Sequence, residues 1–149
     1  MNSDVIYDTL LNIIKNDVIK EQYFELLGQL TDAPIMTNDE FINKVNEISK
    51  MGTIIVCYYI VCNHVQIIGT GTIIVEPKLI HGGKSVGHIE DIVVHKDHRK
   101  KGIATNIVNK LVDLYHDCYK IILDCKDELV DFYKLAGFKK YGNQMAIYN

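Results

Sequence analysis

Midway along the chain, Arg99-Lys100-Lys101-Gly102-Ile103-Ala104-Thr105 joins three cations, a glycine and a small residue at what reads as the opening of a helix. First-turn N–H groups have no intrahelical partner and the helix dipole adds partial positive charge there, so such a corner can cradle phosphate oxygens. A side chain at Gly102 or a larger one at Ala104 would hold a diphosphate off the main chain. On spacing alone a solvated basic helix start with an incidental glycine is the simpler reading. Two other nucleotide motifs do not fit. Gly102 is followed by Ile103-Ala104 where a Walker A loop needs Lys-Ser/Thr, and Gly69-Thr70-Gly71 runs on into Thr72-Ile73-Ile74-Val75, a strand where a dinucleotide fingerprint needs a helix. Around this corner lie Glu90-Asp91, Asp124 and Tyr133. Taken alone, the first two read as a solvated pair at a strand end and Tyr133 as an aromatic at the core edge. Asp124 sits among apolar residues, and a buried aspartate there needs a partner or a purpose.

The elements that must position these groups follow from periodicity. Residues 1–15 fit neither the helical nor the strand period. Tyr23, Phe24, Leu27 and Leu30 share one helical face, predicting a helix over 20–30. Thr37 with Glu40 has capping-box spacing before Phe41, Ile42, Val45 and Ile48, predicting a helix over 38–50. From 53 to 75 β-branched and aromatic residues dominate, with Asn63-His64 as the hairpin turn. A loop over 77–84 leads to a strand over 87–94, the polar stretch 95–101, and a helix carrying Ile103, Ile107, Val108, Leu111, Val112 and Tyr115 on one side. A strand over 119–125, a short helix over 127–136 closed by Gly137, and a last strand over 145–148 complete a mixed α/β chain.

In that frame Arg99-x-x-Gly102-x-Ala104 resembles the pyrophosphate loop of the GNAT superfamily, Q/R-x-x-G-x-G/A. The flanking Gly87-His88-Ile89-Glu90-Asp91-Ile92-Val93-Val94, the segment Cys118-Tyr119-Lys120-Ile121-Ile122-Leu123-Asp124-Cys125, and Phe132-Tyr133-x-x-x-Gly137-Phe138 are together similar to the glucosamine-6-phosphate N-acetyltransferase family, over roughly 29–145. The resemblance implies a GNAT fold, an α/β (α+β) mixed sheet that is mostly antiparallel with a parallel central pair flanked by helices. It implies acetyl-CoA as cosubstrate, with pantetheine along the main chain of Ile92, Val93 and Val94 and the pyrophosphate held by Arg99, Lys100, Lys101, Gly102, Ile103, Ala104 and Thr105. Tyr133 would meet the leaving thiolate, Glu90 and Asp91 would orient the amino sugar, and Asp124, from a second subunit, would help place the amine. Thr31, Lys78, Leu79, Ile80, His81, Tyr119 and Lys120 match the sugar-phosphate positions. The expected reaction acetylates D-glucosamine 6-phosphate, a step toward UDP-N-acetylglucosamine, in an intertwined homodimer whose C-terminal strands cross, carrying Asp124, Lys120 and Tyr148 toward the partner. The chain departs from the family at Tyr148, where an arginine usually meets the phosphate; at Leu129, where an asparagine usually faces the cofactor; and at the turn Thr31-Asp32-Ala33-Pro34. Those departures keep open another amine acceptor or a CoA-binding module without catalysis.

Composition sets the outer bounds. With 149 residues, 48% hydrophobic and 23% charged, the chain suits one domain, 1–149, and its net charge of −3 offers no general pull toward nucleic acid or anionic lipid. The longest apolar run, 54–61, is far shorter than a membrane span, and Asp4, Asp8, Lys15 and Asp17 interrupt the N-terminus, so a cytoplasmic protein is expected. Cys57, Cys62, Cys118 and Cys125 lie in or beside apolar strands as small hydrophobes, with Cys125 a structural thiol. His64, His81, His88, His95 and His98 show no zinc-module spacing, so no metal is expected.

Overall fold

The computed structural model describes residues 4–15 and 17–149. The ambiguous N-terminus has a simple explanation: strand β1 (Ile6–Thr9) runs directly into helix α1 (Leu10–Ile13), so two periods meet within eight residues. Helix α2 spans Asp17–Leu27, three residues earlier at each end than its apolar face predicts. Helix α3 (Asn38–Ser49) opens on the expected capping box: Thr37 Oγ1 accepts from the Glu40 N–H at 3.3 Å and Glu40 Oε2 accepts from the Thr37 N–H at 2.9 Å.

Strands β2 (Gly52–Val61) and β3 (His64–Glu76) form the long hairpin. Its two turn residues are Cys62 and Asn63, at φ 48° and 63°, one residue earlier than the expected Asn63-His64, because His64 already pairs with Val61. Two consecutive positive φ values give the turn a twist that matches its strands. Strand β4 (Val86–Val94) pairs antiparallel with β3, and helix α4 (Ile103–Leu114) carries the chain to β5 (Lys120–Ile122), which pairs parallel with β4. The sheet order is β1-β2-β3-β4-β5, so the parallel pair lies at one edge of the sheet among the described residues and not at its centre as expected, because no strand pairs beyond β5. Beyond β5 comes a single 3-10 turn, Asp127–Leu129, and the short helix α5 (Val130–Leu135). The expected helix over 127–136 is thus split, with Gly137 in the left-handed region at φ 92° just past its end.

Two expectations are corrected. The strand over 119–125 is only three residues long, because β5 has a neighbour only along Val86–His88. The strand over 145–148 is absent: Met145, Ile147 and Tyr148 are each more than nine-tenths exposed. Alternating apolar residues become a strand only when another strand satisfies their N–H and C=O groups, and among the described residues none lies beside them.

Each face of the sheet buries its own core. On one side Leu10, Ile19, Phe24, Leu26, Phe41 and Val45, from α1, α2 and α3, pack on Val56 and Tyr58. On the other, Ile103, Ile107, Val108 and Leu111 of α4 pack with Tyr133 of α5 on Ile55, Cys57, Ile73 and Ile89. Burial pushes the Cys57 thiol up to about 12, so it stays a neutral hydrophobe. Gly69 and Gly71 let α4 approach: a Cβ on Gly71 would lie 2.3 Å from Ile92 Cδ1 and 2.6 Å from Ile107 Cγ2. The Gly-Thr-Gly run is therefore a packing seam inside β3.

Candidate active site

Three backbone irregularities build the site. The first is a bulge: Thr70 pairs with Val93 and Thr72 with Glu90, so Gly71 alone opposes both Asp91 and Ile92, and Asp91 sits at φ 53°. Bulges bend a strand and re-aim its side chains. The second is a splay. β5 accompanies β4 only from Val86 to His88, so the β5 flank of Ile89 to Val94 has no strand beside it among the described residues. An unpaired flank of this kind accepts an extended ligand as though it were another strand.

The third is the corner after β4. Lys100 has φ 61° and Gly102, the N-cap of α4, has φ 77°. Gly102 brings no capping side chain to the first-turn N–H groups, and a Cβ there would meet nothing within 4 Å. The corner therefore opens to solvent with its donors available, and Lys100 and Lys101 are exposed beside it. These residues fit a diphosphate. Arg99 plays a different part from a free cation, since its Nε donates to the Val94 carbonyl at 3.0 Å and ties the loop to the strand end.

The acidic groups meet on the far side of the splay. Glu90, Asp124 and Tyr133 line one open cavity of about 1430 Å³, together with Ile80, His81, His88, Tyr119 and Lys120. Burial, then the negative charges of Asp124 and Asp91, raise the Glu90 carboxyl above its ordinary range, while His88 works in the opposite direction. Burial also raises the Tyr133 phenol, helped by Cys125 and Asp124. The Tyr133 ring is fixed edge-on between Phe132 and Phe138, with centroids at 4.9 Å and 6.0 Å. Asp124 is exposed, not buried as its apolar neighbours suggest, because β5 ends at Ile122 and leaves the chain open toward the cavity. It joins Glu90 of its own chain.

At the cavity mouth His81, at φ 50°, stacks on Tyr119 with centroids 4.2 Å apart, and Lys120 Nζ lies 5.7 Å from the Tyr119 ring and 5.3 Å from that of Tyr141. The Tyr119 N–H donates to the Ser85 carbonyl at 3.0 Å, which fixes where β5 begins. Other expected residues stand apart. Thr31, Lys78, Leu79 and Asp91 do not line the cavity; Leu79 is fully exposed and Lys78 is ion-paired with Glu76. Ile92, Val93, Val94 and the corner Lys100 to Thr105 also lie outside its lining, on the strand and loop that continue from Glu90.

Sequence reasoning missed Glu76. Its Oε2 is 2.7 Å from His88 Nε2, and its other oxygen holds Lys78. Both contacts keep the Glu76 carboxyl below the usual range. His88 drew notice only as a potential metal ligand, although its i, i+2 spacing from Glu90 on a strand already put both on one face.

Residues 27–138 match the Acetyltransferase (GNAT) family. The chain belongs to the GNAT acetyltransferase family. This acetyltransferase is 39% identical over 137 residues to glucosamine 6-phosphate N-acetyltransferase 1 of Dictyostelium discoideum, covering 89% of this chain and 85% of that one. It is 38% identical over 127 residues to the glucosamine 6-phosphate N-acetyltransferase of Candida albicans, covering 84% and 85%. The crystal structure of glucosamine-6-phosphate N-acetyltransferase from Arabidopsis thaliana superposes with a TM-score of 0.86 at 31% identity, covering 97% of this chain and 98% of that one.

Proposed function

We propose that this acetyltransferase transfers the acetyl group of acetyl-CoA to the amine of D-glucosamine 6-phosphate, giving N-acetylglucosamine 6-phosphate and CoA. The observation that carries the reading is the meeting of Glu90, Asp124 and Tyr133 in one cavity beside the unpaired flank of β4. The relatives named above support the choice of sugar. Acetyl-CoA supplies the acyl group as a thioester. Main-chain groups of Ile92, Val93 and Val94 hold it along β4, and donors from Lys100 to Thr105 grip its diphosphate. A strand N–H directed at the thioester oxygen stabilises the negative charge that gathers there as nitrogen attacks.

Nitrogen attacks only as a neutral amine, so an ionised carboxylate beside it favours the step by accepting a hydrogen bond and receiving or passing on the proton released. Glu90 and Asp124 stand there, and Asp91 at the bulge adds negative charge beside Glu90. As the carbon–sulfur bond breaks, Tyr133 gives a proton or hydrogen bond to the thiolate; its raised value keeps the phenol protonated at neutral pH. His81 and Lys120 offer donors for hydroxyl and phosphate oxygens, with Tyr119 and Ile80 shaping that end.

A homodimer completes the reading. The apolar residues Met145, Ile147 and Tyr148 are exposed beyond the last regular element, and a second copy offers them strand partners. An assay of CoA thiol release against a panel of amines tests the function: turnover of glucosamine 6-phosphate is expected, and turnover of a different amine alone would overturn it. Tyr148 favours a second reading, a different amine acceptor, because a phenol cannot pair with phosphate as a guanidinium does. Tyr148→Arg lowers the KM for the phosphorylated sugar under the first reading and leaves it unchanged under the second.

A further inference from the structure

Glu90 faces a difficulty that its neighbours create. It lines the cavity with Asp124 and Asp91 close by, and all three carry negative charge when ionised. Two acidic neighbours and burial both favour its neutral form, yet a neutral carboxyl can neither take a proton from an acceptor amine nor hold an ammonium group. The structure places a basic ring on the same strand face, two residues away: a separation of about 6.5 Å along an extended strand, within reach of direct or water-mediated contact. That ring is His88.

His88 is held rather than free. Its Nε2 meets Glu76 Oε2 at 2.7 Å across the β3–β4 ladder, where Ile74 opposes His88 and Glu76 opposes Val86. Glu76 Oε1 is occupied by Lys78, so this carboxylate is fixed at both oxygens and cannot follow the ring away. The ring lines the acceptor cavity beside Glu90. Nothing in the transfer chemistry described above uses either residue. We propose that His88, oriented by Glu76, is the positioning residue of the acceptor site: its ring places positive charge against the Glu90 carboxylate and holds it aimed into the cavity. The inference rests on the acetyl-transfer reading for its consequence, while the charge relationship itself stands without it.

The groups facing this pair are Glu76 and Lys78 from β3 and its following loop, Asp91 on β4, Asp124 and Lys120 from β5 and its flank, His81 from the loop, and Tyr133 from α5. A positively charged ring stabilises a neighbouring carboxylate, and a carboxyl held above its ordinary range loses its charge on the acid side of neutrality. In that window removal of the ring's charge moves the Glu90 midpoint further up. Since the ionised carboxylate is the useful form, the acid limb of activity moves to higher pH. The loss in kcat/KM is therefore concentrated on the acid side.

The test compares wild type with His88→Gln, which keeps an N–H donor for Glu76 but no charge, and His88→Arg, which restores charge. Relative to wild type, H88Q should lose about fivefold to tenfold in kcat/KM near pH 5.5 and less than about twofold near pH 8.5. H88R should recover most of that loss. Taking ratios to wild type cancels the acceptor amine's own titration. In parallel, carbon NMR of glutamate labelled at its carboxyl carbon, with Glu90→Gln used for assignment, reads the Glu90 midpoint without any substrate, and H88Q should raise it. If H88Q does not fold, His88→Asn takes its place in both measurements. An unchanged midpoint, or an equal loss at every pH that H88R does not repair, overturns the inference. Absence of turnover with glucosamine 6-phosphate in wild type would overturn the proposed acceptor instead, and the NMR titration would still decide the role of His88.

Discussion

At the residue scale, environment sets Glu90 and Tyr133 apart for the two proton roles proposed for them. Burial and two acidic neighbours raise Glu90, so its charge, and any rate that needs it, is lost as pH falls through a value above the ordinary carboxyl range. Burial also raises Tyr133, and a phenol that must stay protonated then tolerates alkaline conditions beyond its ordinary value of about 10. A pH–rate profile should show an acid limb removed by Glu90→Gln and no alkaline fall below about pH 10. Tyr133→Phe should lower kcat by about a hundredfold with little change in the KM for acetyl-CoA, as loss of a positioned proton donor does. Gly102→Val places a β-branched residue at φ 77° in the open corner, where backbone strain and the new side chain both oppose the diphosphate. Calorimetry with CoA should show affinity reduced by about tenfold or more.

At the scale of elements, the bulge in β4 and the glycine seam in β3 work together. Gly71 opposes the bulge and lets Ile107 of α4 settle against the sheet beside Ile92. Gly71→Ala forces side chains apart at 2.3 Å and 2.6 Å contacts in a packed layer. It should cost about 1–3 kcal/mol in denaturant titration and weaken acetyl-CoA binding through Ile92. Helix α2 contributes to the same strand from the opposite face. Gln22 accepts from the Ile67 N–H at 2.8 Å and donates to the Val65 carbonyl at 2.9 Å, where β3 extends past β4 and would otherwise lack partners. One residue along the same helix, Tyr23 shares a buried hydrogen bond with Thr70, at 3.2 Å between oxygens, next to the bulge.

At the scale of the whole molecule, the cavity lined by Glu90 and Asp124 is open, and residues 139–144 form part of its wall. The exposed residues Met145, Ile147 and Tyr148 follow directly. If a second copy covers them, deletion of 143–149 converts dimer to monomer in sedimentation velocity and lowers kcat for the sugar more than it lowers CoA affinity. Retention of a dimer by the truncated chain would remove these residues from the interface. Among the described residues no helix is long and apolar enough to cross a membrane.

What the sequence determined by itself was local. The capping box at Thr37 and Glu40, the β-branched hairpin, the apolar stripe of α4 and the glycine corner after β4 each depend on neighbours a few residues apart, and each stands where its spacing predicts, save that the hairpin turns one residue earlier. The corner and the strand before it also carried the family resemblance. Tertiary structure decided whatever depends on pairing between distant segments. β5 ends after three residues because β4 diverges from it, and residues 145–148 form no strand because no ladder reaches them. Asp124 is exposed, despite apolar neighbours in sequence, because that divergence opens the cavity. The Glu76–His88 contact joins residues twelve apart through strand register, which no periodicity records. Periodicity reports which face a side chain takes, whereas hydrogen-bond register across the sheet sets which side chains meet there.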